Sequence, residues 1–381
     1  MMNLFFHAPD RESELSKYYR RAFEKAVELF IVTAYLTEWD TSLKLNSGCH
    51  RFRVIIGKDF GITRRAACEA VMHWLPPKRK SQFMVADLIS GFHPKAVFWK
   101  ESNGDCFAII GSSNLTRAAF ETNYEANVFS KIENSEYDAA RNWVRSIEKL
   151  SVPVSDDWLK CYKEALPTRR SAGKKSKQRH HLAIPLVTLK LPKPVSMKKQ
   201  IIIRRGQLAA FKRKRKGLIK LFQDCASGKI KSTDFYRQLP EYWSYEVGDR
   251  LQGAGWERQG KDSDFHTLAA SYLRILEATD QERDDIVEQE IDNLREKHVV
   301  TRKAFLSEML CLQFPEEYPV LNRPVQKYLK SVKFKAPRGS SEGARYIDLS
   351  RKLRASLLQN PEHPAKNIAE LDTVIWLAFG E

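Results

Sequence analysis

His93 and Lys95 stand two residues apart. On an extended segment, residues i and i+2 face the same side, so an imidazole and an ammonium would enter one space. The ammonium binds a phosphate oxygen, and the imidazole attacks phosphorus or passes a proton. A second group, Gly111-Ser112-Ser113-Asn114, follows the apolar run Phe107–Ile110. Glycine permits a tight turn there, and the small polar side chains of Ser112 and Asn114 can donate to phosphate oxygens. Ser112 either binds phosphate or only shapes the turn, and Ser113 is structural. Free N–H groups at the start of a following helix add to the anion site. A third element is Glu125, whose carboxylate on a neighbouring strand can hold the second ring nitrogen of His93 and fix its tautomer. Asn123 is the alternative polar residue for that place.

These groups need a sheet to carry them. Short β-rich runs at Leu29–Tyr35, Phe52–Ile56 and Phe83–Leu88 are bounded by polar or turn residues, as buried strands are. Ala96–Trp99 and Phe107–Ile110 form two further strands about the turn Ser102-Asn103-Gly104-Asp105. A strand follows at Glu125–Phe129. Helices are expected from an Asp10 cap to about Glu28, over Thr63–Leu75, from near Asn114–Thr116, and over Tyr137–Leu150. Mixed strands and helices over this half point to an α/β domain.

The pattern His93-x-Lys95, Gly111-Ser112-x-Asn114, then Glu125 resembles the HxK…GSxN signature of the phospholipase D superfamily, over roughly residues 1–150. The resemblance implies a mechanism with no metal or cofactor. One histidine attacks phosphorus to form a phosphohistidine, and a second protonates the leaving oxygen and then activates water. Lysines and asparagines stabilise the transition state. Catalytic roles fall to His93, Lys95, Asn114 and Glu125, and phosphate binding to Lys95, Ser112 and Asn114. The gathering of nitrogen donors with one carboxylate agrees with this chemistry. Two departures matter. The family's Asp, five positions after the Lys, is Lys100 here, as in nuclease-like members that lack it. No second HxK occurs, and His363-Pro364-Ala365-Lys366 has the wrong spacing. The missing half-site is therefore expected from a second copy in a homodimer.

The chain has 381 residues, a net charge of +17 and 43% apolar residues, so a sizeable core and a polyanionic partner are expected. No carboxylate lies between Glu164 and Asp224, where 18 Lys or Arg occur, so the rest of the chain is near neutral. This stretch contains Lys174, Lys175 and Lys177 and the run Lys212-Arg213-Lys214-Arg215-Lys216, candidates for nucleic-acid contact. Leu186–Leu191 reads as a short strand between prolines. The division expected is an α/β phospholipase D-like domain (1–165), a basic connector (166–222) and a mostly helical domain (223–381) for target or partner recognition. Trp243, Trp256 and Trp376 read as core residues, and His50 and His73 as surface or packing residues. PEEYPVLNRPVQKYL and ELDTVIWL loosely resemble helical modules of bacterial restriction and defence proteins.

The six cysteines have no CxxC or zinc spacing, which suits free thiols in a cytoplasmic protein. MMNLFFHAPD is too short an apolar run for a leader, and no apolar stretch reaches membrane-spanning length. The expected function is metal-independent hydrolysis of DNA, in a restriction or antiphage system with its partner protein. The alternatives are a phospholipase or phosphatidyl transferase of the same superfamily and a non-catalytic DNA-binding scaffold.

Overall fold

The computed structural model describes residues 2–8, 14–114, 123–165, 185–251, 253 and 257–380. Asp10, Thr116, Lys174, Lys175, Lys177 and Trp256 lie outside the described residues. The chain divides into two compact units, residues 1–187 with 335–340, and residues 188–334 with 341–381.

The first unit is built on an eight-stranded sheet. Its strands are β1 (Met2–His7), β2 (Ala26–Thr33), β3 (Arg51–Ile56), β4 (Phe83–Val85), β5 (Lys95–Glu101), β6 (Cys106–Gly111), β7 (Glu125–Ile132) and β8 (Val152–Pro153). Across the sheet the order is β1-β7-β6-β5-β2-β3-β4-β8. β2, β3 and β4 run parallel, and β5, β6, β7 and β1 continue antiparallel from the other side of β2. The C-terminal ends of β2, β3 and β6 thus share one end of the sheet with the N-terminal ends of β5 and β7. Among the described residues of this unit the α-helices are α1 (Leu15–Lys25), α2 (Arg65–Trp74), α3 (Asn134–Glu148) and α4 (Asp156–Cys161).

β2 and β3 are buried almost throughout, which is why each carries a short continuous apolar run, Leu29–Val32 and Val54–Ile56, rather than a strict alternation. On one face, Tyr137, Val144 and Ile147 of α3 join Phe30, Val32, Ile55 and Phe98 in one cluster. Arg53 of β3 is buried on that side and is neutralised by Glu148 of α3, with a further bond to Phe52 O at 2.7 Å. On the other face, Phe23 of α1 meets Trp39, Phe52 and Trp74, while Trp99, Phe107 and Phe129 stack along three strands.

β1 carries no sequence expectation. It is an edge strand whose residues alternate in exposure, and it exists through pairing with β7, far away in the chain.

The second unit is helical: α5 (Met197–Ala226), α6 (Ser232–Gln238), α7 (Glu257–Gly260), α8 (Phe265–Glu277), α9 (Arg283–Glu296), α10 (Ala304–Gln313), α11 (Arg323–Ser331), α12 (Glu342–Leu358) and α13 (Ile368–Phe379). Side-chain caps start several of them: Asp264 accepts from Thr267 N at 2.9 Å, Asn322 from Val325 N at 3.0 Å and Asn367 from Glu370 N at 2.8 Å. From Met197 onward, the stretch expected as a connector is one 30-residue helix. Its charge run masks the spacing of Phe211, Leu218, Phe222 and Cys225, which are buried in the unit's core with Trp243, Phe265 and Phe305. Leu186–Leu191 is not a strand. Leu189 and Leu191 are buried around exposed Lys190, the alternation of a strand, but Leu189 N donates to Ser356 Oγ at 2.9 Å instead of to a neighbouring strand.

Candidate active site

The signature residues converge at the shared end of the sheet. Lys95 opens β5 opposite Thr33, the last residue of β2. His93 precedes the strand, on a segment that Asp59 anchors by accepting from Gly91 N at 2.8 Å and Phe92 N at 3.2 Å. Phe92 itself is buried in the α3-side cluster. That descent requires Gly57 beneath it, because a Cβ there would come within 3.1 Å of the Phe92 ring and 2.5 Å of Ala34 O.

His93 is exposed, and its ring stands edge-on to Tyr35 with 5.6 Å between centroids. Lys95 Nζ lies 3.0 Å from His93 Nδ1 and 3.4 Å from Nε2. The expectation that the two side chains share one space holds. Partial burial lowers the pKa of Lys95 below the ordinary lysine range, and the nearby charge of Glu125 opposes that shift.

The turn after β6 depends on Gly111, whose Cβ position would lie 2.5 Å from Ala126 O on β7. Ser112 N donates to Ala126 O at 3.0 Å, and Ser112 Oγ accepts from Ala126 N at 2.9 Å while donating to Glu125. Its hydroxyl is thus occupied within the turn. Ser113 points inward, where its N–H donates to Asn127 Oδ1 at 3.2 Å and its Oγ accepts from Asn127 Nδ2 at 2.8 Å. Asn127 is a site-shaping residue that the motif does not mark. The signal for it was a polar residue in an otherwise buried strand position.

Asn114 Oδ1 accepts from Tyr35 N at 3.3 Å, and Thr33 Oγ1 is also 3.3 Å from it. Thr33 Oγ1 lies 3.0 Å from Tyr35 O as well, and its one proton serves one acceptor at a time. Because the Tyr35 N–H must meet an oxygen, the Asn114 amide is oriented with Oδ1 toward Tyr35. Among the described contacts its NH₂ has no partner, so it retains two donors for a ligand. Thr33 and Tyr35, at the end of the β-rich run Leu29–Tyr35, therefore link Asn114 to the His93 ring.

Glu125 differs from expectation. Among the described contacts it does not touch His93. It accepts from Ser112 Oγ and from Asn123 Nδ2, the latter at 3.1 Å. The strand geometry explains this, because Glu125 starts β7 opposite His7 of β1, with β6 lying between β7 and β5. Its negative charge reaches Lys95 and also adds to the upward shift of buried Tyr19, which burial dominates.

His50 is an exposed partner of Glu28 at 3.6 Å, and His73 is exposed near Glu69 O at 2.7 Å. Lys212, Arg213, Lys214 and Arg215 are exposed on α5. Among the described residues, no cluster of three His, Cys, Asp or Glu side chains is placed to hold a metal, and no helix is long and apolar enough to cross a membrane.

No protein-family model and no curated protein sequence matches the chain. Solved structures do. NucT from Helicobacter pylori aligns at 14% identity and a TM-score of 0.31, over 40% of this chain and 99% of its own. The phospholipase D family member Nuc from Salmonella typhimurium aligns at 14% and 0.31, over 40% and 97%. Phosphatidylserine synthase from Haemophilus influenzae Rd KW20 aligns at 13% and 0.28, over 40% of each chain.

Proposed function

We propose that this protein is a phosphodiesterase that hydrolyses DNA without a metal ion, through a phosphohistidine in a site shared by two copies of the chain. A nitrogen of His93 forms the bond to phosphorus as the bond to the leaving oxygen breaks. His93 of the second copy gives that oxygen its proton. The same residue then takes a proton from water as water attacks phosphorus and releases His93. Lys95 and the NH₂ of Asn114 bear the charge that grows on the non-bridging oxygens. Glu125 acts through Lys95 and the Ser112 turn. The protein works in the cytoplasm as the nuclease of a restriction or antiphage system, in which the helical unit and a partner protein provide recognition.

The observation that supports this reading most strongly is the pairing of Lys95 Nζ with the His93 ring at 3.0 Å beside an Asn114 amide whose NH₂ has no partner among the described contacts. The test is cleavage of plasmid and single-stranded DNA in EDTA by wild type and His93→Ala, with sizing-column mass recorded for both. Cleavage by a wild-type dimer alone, unaffected by chelator, is expected. Equal cleavage by His93→Ala, or its loss in EDTA, contradicts the reading. Release of a lipid headgroup with no DNA cleavage points to the lipid branch of the superfamily.

A further inference from the structure

α5 presents a one-signed face. Lys198, Arg205, Lys212, Lys216 and Lys220 follow one another at intervals of seven, seven, four and four residues. At the helical repeat they project within an arc of about 80° and span about 33 Å along the axis. All five are exposed, and Arg213 is exposed beside them.

The opposite side fixes the helix in place. Phe211, Leu218, Leu221, Phe222 and Cys225 are buried in the core of the unit, and Gly217 lies against the Tyr242 ring. Near the N-terminal end, buried Arg204 pairs with buried Asp372 at 2.9 Å. The charged face is thus held by packing that does not involve its own side chains.

Little neutralises that face. Arg205 pairs with Glu370 at 2.7 Å and Lys220 with Asp224 at 3.0 Å. Lys198, Lys212, Arg213 and Lys216 have no carboxylate partner among the described contacts, and α5 has no carboxylate of its own before Asp224. Lys212 and Lys216, and then Lys216 and Lys220, are like charges one turn apart, an arrangement that opposes helix formation until a polyanion covers it.

We infer that this face of α5 is a docking surface for the phosphate backbone of duplex DNA, independent of base sequence. It rests on the reading above for the identity of the polyanion. Its length matches one duplex turn of about 34 Å. Most of its cations are lysines, flexible point charges that suit phosphates better than base edges.

The test uses the full chain carrying His93→Ala in EDTA, with binding to a fluorescent mixed-sequence duplex of roughly 20 base pairs followed by anisotropy across a KCl series. Combining Lys198→Gln, Lys212→Gln, Arg213→Gln and Lys216→Gln is expected to weaken binding at least tenfold near 0.1 M salt. It also flattens the log–log salt slope by roughly 3.6, equally for a second duplex of unrelated sequence. Should the fourfold variant fail to fold, Lys212→Gln with Lys216→Gln gives a slope change of about 2. Unchanged affinity and slope in a folded variant overturn the inference. Because binding is read in a cleavage-silent chain, the two claims separate. Weakened binding by the variant with no cleavage by wild type rejects the phosphodiesterase and keeps the docking face. Cleavage by wild type with unaltered binding by the variant does the reverse.

Discussion

Lys95 Nζ and His93 Nδ1 lie 3.0 Å apart at the end of the sheet where β5 begins, so the ammonium and the proposed nucleophile stand together in the structure. Replacing either group separates their duties. His93→Ala is expected to abolish hydrolysis of phosphodiesters. Lys95→Met is expected to lower kcat by at least about a hundredfold, the scale of losing one preorganised charge-stabilising donor. Single-turnover kinetics on a short DNA duplex checks both.

Lys95 is also expected to set a pH dependence. Partial burial lowers its pKa and Glu125 holds it up, so the ammonium is lost at a pH below the ordinary lysine range. The alkaline limb of kcat/KM should fall there, Glu125→Gln should move it to still lower pH, and Lys95→Arg should remove it. The unfolded chain keeps the proton to higher pH, so the contribution of this group to stability rises with pH between its lowered pKa and the ordinary value. Profiles of kcat/KM for the three proteins check the assignment. A limb that ignores Glu125→Gln rejects it.

Asn114 divides into an acceptor that braces the backbone and a pair of donors with no partner among the described contacts. Asn114→Asp retains the acceptor and replaces the donors with negative charge. It should leave thermal stability nearly unchanged while reducing kcat strongly. Asn114→Ala leaves the Tyr35 N–H unbonded and should cost about 1 kcal/mol of stability as well. Urea denaturation beside activity separates the two roles.

The His-x-Lys pair was legible because two residues on an extended segment face one way whatever the rest of the fold does. The buried strands were legible in part because β2 and β3 are buried on both faces and carry the apolar runs Leu29–Val32 and Val54–Ile56. What could not be read depends on pairing across long stretches of chain. β1 becomes a strand through β7, and the partners of Glu125 follow from which strand lies between β7 and β5. The role of Asn127 arises from a close approach at Gly111. α5 was hidden by its charges, since its apolar residues sit at helical spacing beneath a run that reads as linker.

Gly111 tests that close approach. Gly111→Ala forces a methyl group against Ala126 O and the Asn127 backbone and should destabilise the protein by about 1–3 kcal/mol. Activity should fall further than stability, because Ser112 and Asn114 are carried on the displaced turn. Denaturation midpoints paired with kcat at a temperature where the variant remains folded check the difference.

A shared site makes a prediction about mixed dimers. If each site needs His93 from both copies, activity falls as the square of the wild-type fraction when His93→Ala subunits are exchanged in. Equal amounts then leave roughly a quarter of the activity. A linear fall to one half assigns each site to a single chain.

The central claim is that His93 becomes covalently bonded to phosphorus. Acid-free denaturing quench during turnover of a labelled DNA substrate, followed by digestion and mass spectrometry, reads this directly. The expected result is a phosphoryl-nucleotide adduct on the peptide containing His93, absent in His93→Ala. Cleavage that proceeds with no adduct under conditions where chemistry outruns hydrolysis of the intermediate, or with the adduct on another residue, contradicts it.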